Sequence, residues 1–237
     1  MMMAHDHELL ILAVTRMRTG VCVAGMIRTT DPVSRLRWVR PVKHHGALLA
    51  GDIRYGSGRL MRAGDVISWR HNMLQSRPPH IEDALVDPVR DRPALLRRLD
   101  PADRAQFCAR QLDHAPDDVL LHATRSLCIV RPEEIHVAWN CDAFSGHYEA
   151  RLAFRHGRYA TDARGLPVTD LAWRALGRVW LNGRDRLELS HSALRERIGE
   201  IYLVIGISRT FDGRRWPLIV GVHAAGLPEI ELDEAAL

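Results

Sequence analysis

The sequence predicts a mainly β protein with α insertions, arranged as two small β-barrels joined by a helical connector. Three observations predict it. First, the chain writes one pattern twice: an apolar strand ending in a hydroxyl residue and an arginine, a glycine-bearing turn, and a second apolar strand. The pattern occupies 10–27, with Thr15-Arg16 and Gly20, and returns at 202–223, with Ser208-Arg209 and Gly213. Such pairs of runs read as β-hairpins, so the repeat suggests two small β domains or one sheet closed by its two ends. Second, four short strand-like segments fall within the first 80 residues, which suits a small barrel. Third, strands and helices do not alternate in regular units, which weighs against the alternative of one mixed α/β sheet.

The elements follow in order. Residues 9–16, 21–27, 36–39 and 65–69 read as strands, with turns at 18–20, 30–32 and 62–64. In 65–70, Val66, Ser68 and Arg70 share one face while Ile67 and Trp69 share the other, so one side can be buried and the other can meet solvent or a ligand. The stretch 76–91 contains Pro78, Pro79 and Pro88 and reads as an extended connection at a domain boundary. Residues 92–112 place Leu95, Leu96, Leu99, Ala102, Phe107 and Leu112 near helical spacing, broken at Asp100-Pro101. Two short helices are expected there, the second capped by Asp100 with Pro101 in its first turn. Strands resume at 127–130, 135–139 and 148–154, the last with Tyr148, Ala150, Leu152 and Phe154 alternating against Glu149, Arg151 and Ala153. Asp170 opens a helix through 181, 190–198 is another, and Asp212-Gly213 turns the closing hairpin. The division is 1–80 for the first barrel, 81–125 for an extended and helical connector, and 126–237 for a second barrel with helical insertions.

The 237 residues are 46% hydrophobic, enough for a sizeable core. The longest apolar runs, 9–14 and 201–207, fall short of the roughly 18 to 20 residues of a membrane span. No membrane association is expected, and the N-terminus lacks a basic leader, which points to the cytoplasm. Cys22, Cys108, Cys128 and Cys141 are far apart and form no Cys-x-x-Cys pair, so they read as buried free thiols. His114, His122 and Cys128 match no common zinc spacing. Of 33 basic residues only Lys43 is lysine. A GC-rich genome produces this bias, as does a need for the planar, bidentate phosphate recognition of arginine. Position is more telling: residues 1–80 hold 12 basic and 5 acidic side chains, whereas 81–140 hold 8 against 11. That asymmetry favours polyanionic partners.

Several short motifs recur in a fixed order: the hairpin at 10–27, Trp38-Val39-Arg40-Pro41-Val42, Gly64-Asp65-Val66-Ile67, His80-Ile81-Glu82-Asp83, Thr169-Asp170-Leu171-Ala172-Trp173 and the hairpin at 202–223. In this order the chain resembles the dual OB-fold domain family of bacterial proteins, over almost its whole length. The resemblance implies two OB-like barrels and a nucleic-acid-binding role, and with the helical connector read above the expected fold is two OB-like small β-barrels joined by a helical connector. It carries no catalytic residues with it.

An OB barrel binds single strands with a cationic groove along the phosphates and aromatic rings under the bases. Trp38 precedes Arg40 and Lys43, with His44 and His45 beyond; Trp69 adjoins Arg70 and His71; and Arg214-Arg215-Trp216 lies in the last hairpin. Arg16 and Arg209 end the repeated strands at equivalent places, where each guanidinium could hold a phosphate or clamp a carboxylate such as Asp65 or Asp170. These ten residues, Arg16, Trp38, Arg40, Lys43, Trp69, Arg70, Arg209, Arg214, Arg215 and Trp216, are the expected nucleic-acid contacts. His80, Glu82 and Asp83 form a compact cluster that offers the weaker alternative of a divalent metal and hence a nuclease or phosphoesterase. A scaffold whose basic face docks an acidic protein partner is the third reading. P-loop, dinucleotide-binding, nucleophile-elbow and His-Glu-x-x-His patterns are missing from the sequence, and no cofactor is called for.

Overall fold

In the computed structural model the described residues are 8–17, 19–29, 36–74, 78–210 and 212–232. The first β unit contains β1 (Glu8–Met17), β2 (Gly20–Arg28), β3 (Leu36–Val42), a 3-10 turn (Ala50–Ile53), β4 (Asp65–Ser68), β5 (Asn72–Met73), β6 (Asp83–Leu85) and β7 (Ala94–Arg98). Its seven strands run β5-β6-β3-β2-β1-β4-β7. β6 pairs parallel with β3 and β7 pairs antiparallel with β4, so the two sides of the sheet are joined by a single run of chain, 83–98. That run is one strand interrupted by a turn in which Asp87 accepts from the N–H groups of Arg90 and Asp91. The sheet thereby curls around a core of Leu9, Ile11, Val23, Val39, Ile53 and Ile67.

α1 (Pro101–Arg110) and α2 (Asp117–Leu120) lead into the second unit, with β8 (Leu127–Val130), β9 (Glu134–Cys141), β10 (Tyr148–His156), β11 (Tyr159–Ala160), β12 (Leu166–Pro167), α3 (Leu171–Leu181), β13 (Arg186–Leu189), α4 (His191–Ile198), β14 (Ile201–Ile207) and β15 (Pro217–Ala224). β9, β10, β11, β12 and β13 form one sheet and β15-β14-β8 another, closed over a shared core that includes Trp139, Leu152, Trp173 and Leu203. Thus the mainly β architecture with helical insertions is as the sequence predicts.

Two expectations change. Residues 92–99 do not form a helix: β7 takes its place because β4 presents an open edge, and Leu95 and Leu96 stay exposed at 39% and 50%. Strand pairing across the sheet overrides a weak helical spacing. The first β unit therefore runs past residue 80 to Arg98, and the connector is correspondingly shorter. Asp100 does cap α1, accepting from the N–H of Asp103 at 2.8 Å with Pro101 behind it. The turn at 30–32 and part of that at 18–20 lie outside the described residues.

The unbroken apolar runs of the repeat now have a physical reason. Leu9, Ile11 and Val14 of β1 point into the first core, whereas Leu10, Leu12 and Ala13 point toward β8 and β14. A bulge at Leu12 switches the inward set from odd to even residues. β14 behaves likewise: Leu203 and Ile205 enter the second core, and Tyr202 and Val204 face the first unit. Strands covered on both faces have no polar side, so neither alternates. The hairpins meet across this seam, where the Nε2 of His223 donates to the Leu12 carbonyl at 2.9 Å. A Cβ on Gly221 would come within 2.6 Å of the same carbonyl, so the crossing requires glycine.

The segment 166–170 fastens the three sheets. Leu166 and Pro167 pair with β10, Thr169 N–H donates to Ile219 of β15, and Arg16 N–H of β1 donates to the Thr169 carbonyl at 2.9 Å. Asp170 ends the segment buried. One of its carboxylate oxygens caps α3 through the N–H groups of Ala172 and Trp173, while the other accepts from Val222 N–H at 2.8 Å. Burial pushes its carboxyl up to about 6 against the pull of those three donors.

Asp170→Ala should lose the cap and strand the buried Val222 N–H, lowering unfolding free energy by about 2 to 4 kcal/mol. Asp170→Ser, able to cap but too short for Val222, should fall between; chemical denaturation measures both.

Acid should destabilise the fold through His223. Its pKa is lowered to about 3 by burial and then by the Arg104 charge, so below pH 6.5 the unfolded chain takes up a proton that the folded chain refuses. His223 thus contributes stability above pH 6.5 that is lost as pH falls toward 3, whereas the raised Asp170 carboxyl acts oppositely between about 4 and 6. His223→Gln, which keeps a donor for Leu12, should flatten the stability slope between pH 6 and 4 by roughly 1.4 kcal/mol per pH unit.

Candidate nucleic-acid interface

The sequence-predicted residues divide by burial. On β3, Arg40 shares its face with Trp38 and looks toward the second unit. Arg40 is 7% exposed, and its guanidinium binds Asp83 (Nε to Oδ1, 2.7 Å), approaches Glu82 at 3.3 Å and donates to the Ser126 hydroxyl at 3.3 Å. Ser126 in turn donates to Glu82. Burial pushes the Glu82 carboxyl up, with Arg40 and the Ser126 hydroxyl pulling it down. Because Glu82 and Asp83 come from the first unit and Ser126 from the second, this node pins the polar end of the seam. Arg40 is therefore a structural clamp, and its expected phosphate contact is corrected: a guanidinium buried against Asp83, Glu82 and Ser126 is out of reach of a ligand.

Arg209 joins the same node from outside. Its Nη2 lies 2.5 Å from the second oxygen of Asp83, yet the side chain is 53% exposed. One side of the fork is anchored and the other faces solvent. Next to it the last hairpin carries Arg214, Arg215 and Trp216, all exposed, with Trp216 at 50%. Ser208 N–H donates to the Trp216 carbonyl and Trp216 N–H donates to the Ser208 hydroxyl, both at 2.9 Å, which pairs the two strands of the hairpin just before its turn. Positive φ at Asp212 and Gly213 makes the turn expected there. Arg214 and Arg215 form no ion pair among the described residues.

The other predicted contacts lie apart from this end. Trp69 is 1% exposed, packed in the first core with its Nε1 donating to the Asp91 carbonyl at 2.8 Å, so its expected stacking role is corrected. It falls on the inward face of the chain with Ile67, where a large apolar ring gains most from burial. Arg70 is exposed and 3.8 Å from Asp91. Lys43 holds Asp52 at 2.7 Å and steadies the 3-10 turn. Trp38 is half-buried against the seam. Arg16 is exposed, its backbone joined to Thr169 and its charge felt by Arg174.

His80 is buried with both ring nitrogens unpartnered, and burial plus the Arg40 and Arg209 charges lower its pKa to about 4. Glu82 and Asp83 turn to Arg40, and among the described residues no three His, Cys, Asp or Glu side chains converge as a metal would need. The four cysteines are free.

Two curled β units, the seam between their repeated hairpins and a sequence model that matches residues 7–222 now agree. The chain belongs to the Dual OB-containing domain family. No curated protein matches it. OB folds as a class bind nucleic acids or proteins on barrel surfaces. No helix among the described residues is long and apolar enough to cross a membrane. In this dual-OB chain, sequence reasoning missed a group of arginines on the connection from β3 to β4. Arg54, Arg59 and Arg62 lie close in sequence, which was a signal, but Arg98 joins them only through β7.

Arg40→Ala should leave the buried Glu82 carboxylate without a cation and Asp83 with only the half-exposed Arg209, lowering stability by about 3 to 5 kcal/mol. Arg209→Ala, at a half-exposed pair, should cost about 1 kcal/mol or less. Urea unfolding of the two variants checks the division into clamp and surface.

Proposed function

We propose that this dual-OB chain is a binding protein for single-stranded or structured nucleic acid, engaging it through Arg209, Arg214, Arg215 and Trp216. One observation carries the reading: a half-exposed indole sits on one hairpin end with Arg214 and Arg215, which form no ion pair among the described residues, and with Arg209, which Asp83 holds on one side. Exposure separates this group from the rest of the tryptophans, since Trp69, Trp139 and Trp173 are core rings, Trp38 is half-buried against the seam and Trp180 packs edge-on against Trp139. A base can stack on the indole while guanidinium forks take the flanking phosphates. The chemistry asks for binding alone.

Anisotropy of labelled single-stranded oligonucleotides across a salt series tests this. Trp216→Ala should weaken binding by roughly 5- to 150-fold, equivalent to about 1 to 3 kcal/mol of stacking, at an unchanged salt slope. Arg214→Ala with Arg215→Ala should lower the slope by about 1.4, near 0.7 for each lost phosphate contact. Equal affinity in all three proteins would end the proposal. A nuclease-resistant complex in co-purification would instead favour a protein partner.

A further inference from the structure

Arg16, which ends the first of the two repeated strands, is not among the four residues assigned to the hairpin site, yet it belongs to a second group of arginines at the joint between the units. Its N–H donates to the Thr169 carbonyl at 2.9 Å. Arg174, from the first turns of α3, sends Nη1 to the carbonyl of the adjacent Val168 at 3.4 Å and Nη2 to that of Tyr148 at 3.3 Å. Both arginines are thus tied to neighbouring residues of the segment 166–170. Arg178 follows Arg174 by one helical turn and shares its aromatic partner: the guanidinium carbons lie 4.8 Å (Arg174) and 4.2 Å (Arg178) from the centre of the Tyr148 ring. The Tyr148 hydroxyl donates to the Arg174 carbonyl at 2.7 Å, which holds that ring against the helix.

What this group lacks is an anion. Arg16 and Arg178 are exposed and form no ion pair among the described residues. The hydrogen bonds of the Arg174 guanidinium go to carbonyl oxygens, both longer than charge-assisted bonds usually are. Glu149, whose charge reaches Arg174, is itself held by Arg151 at 2.8 Å and Arg164 at 3.4 Å. Asp170, which opens the same helix, gives its oxygens to backbone N–H groups. Burial lowers the Arg174 pKa, and the like charges of Arg178 and Arg16 lower it further. Like charges at i and i+4 destabilise a helix, and a third from β1 adds to the repulsion. A shared anion turns that repulsion into attraction, and planar guanidinium forks suit the oxygens of a phosphate.

We propose that Arg16, Arg174 and Arg178 form a phosphate-binding site at the joint of the two units, taking either a backbone phosphate of a nucleic-acid strand or a free phosphate group. The strand as source rests on the nucleic-acid reading; the phosphate chemistry does not. Thr169 links the two sites, because its N–H donates to the Ile219 carbonyl at 2.9 Å. Trp216 lies three residues before Ile219, about 10 Å of extended chain, so one strand can reach from the indole toward Arg16. Since Arg16 comes from β1 and the other two arginines from α3, a bound phosphate would also tie the units together.

The test compares wild type with Arg16→Gln combined with Arg178→Gln, both at exposed positions. The probes are inorganic tripolyphosphate, titrated by calorimetry, and labelled oligothymidine, followed by anisotropy across a salt series. The double variant should bind tripolyphosphate about 10-fold or more weakly than wild type, as expected from losing charge-assisted contacts. Its oligothymidine salt slope should fall by about 1.4, near 0.7 for each lost phosphate contact. Weaker tripolyphosphate binding with an unchanged oligothymidine slope would keep the site for free phosphate groups and overturn the strand as its source. Equal behaviour of the two proteins toward both probes would overturn the inference, and a loss of oligothymidine affinity in Trp216→Ala would then leave the hairpin reading in place. If neither protein binds oligothymidine while the double variant loses tripolyphosphate, the nucleic-acid reading falls and this site stands.

Discussion

Everything in this molecule hangs on a five-residue run, 166–170, that hydrogen-bonds to three sheets and ends in a buried carboxylate. Its backbone pairs with β10, β15 and β1 in succession, and the Asp170 side chain then binds the start of α3 and Val222 of β15. Burying an ionisable group is costly unless its oxygens are met by donors, and here backbone N–H groups from two elements meet them. Removing this group therefore disturbs a helix start, a hairpin and the joint between units together.

The seam that the run secures is built differently at its two ends. Its middle is apolar, with β1 and β14 buried on both faces, and its far end is the ionic node of Arg40, Glu82, Asp83 and Ser126. This separation sorts the arginines by role. Arg40 is consumed in holding the units together; Arg209 contributes one edge to that task and keeps one for solvent; Arg214 and Arg215 are left outside. In so arginine-rich a chain the number of guanidinium groups says little about ligand affinity. What counts is which of them lack an internal carboxylate, because only those can exchange water for phosphate without uncovering a buried anion.

Much of the fold was legible residue by residue. Alternation in 148–154 gave the inward face of β10, the cap at Asp100 marked the start of α1, and the helical segments read from 170 and 190 begin where α3 and α4 do. The repeated hairpins were visible as apolar runs. Residues 92–99 were misread because Leu95, Leu96 and Leu99 fit a helix as well as an edge strand, and only the open side of β4 decides between them. Of the candidate contacts, Arg214, Arg215 and Trp216 are exposed, while Trp69 and Arg40 were assigned to a surface that they do not reach.

By itself, then, the sequence determined the strands, the helix caps, the two hairpins and the surplus of positive charge, since each is encoded by neighbours a few residues apart whose periodicity or side-chain geometry acts locally. The tertiary structure alone decided which arginines are neutralised, that 83–98 passes from one side of the first sheet to the other, and that the acidic tail lies over Arg59 and Arg62. Those outcomes depend on pairs separated by 43 residues for Arg40 and Asp83, 126 for Arg209 and Asp83, and 167 for Arg62 and Glu229. Charge acts through space and burial is set by what packs on top, so no local pattern records either.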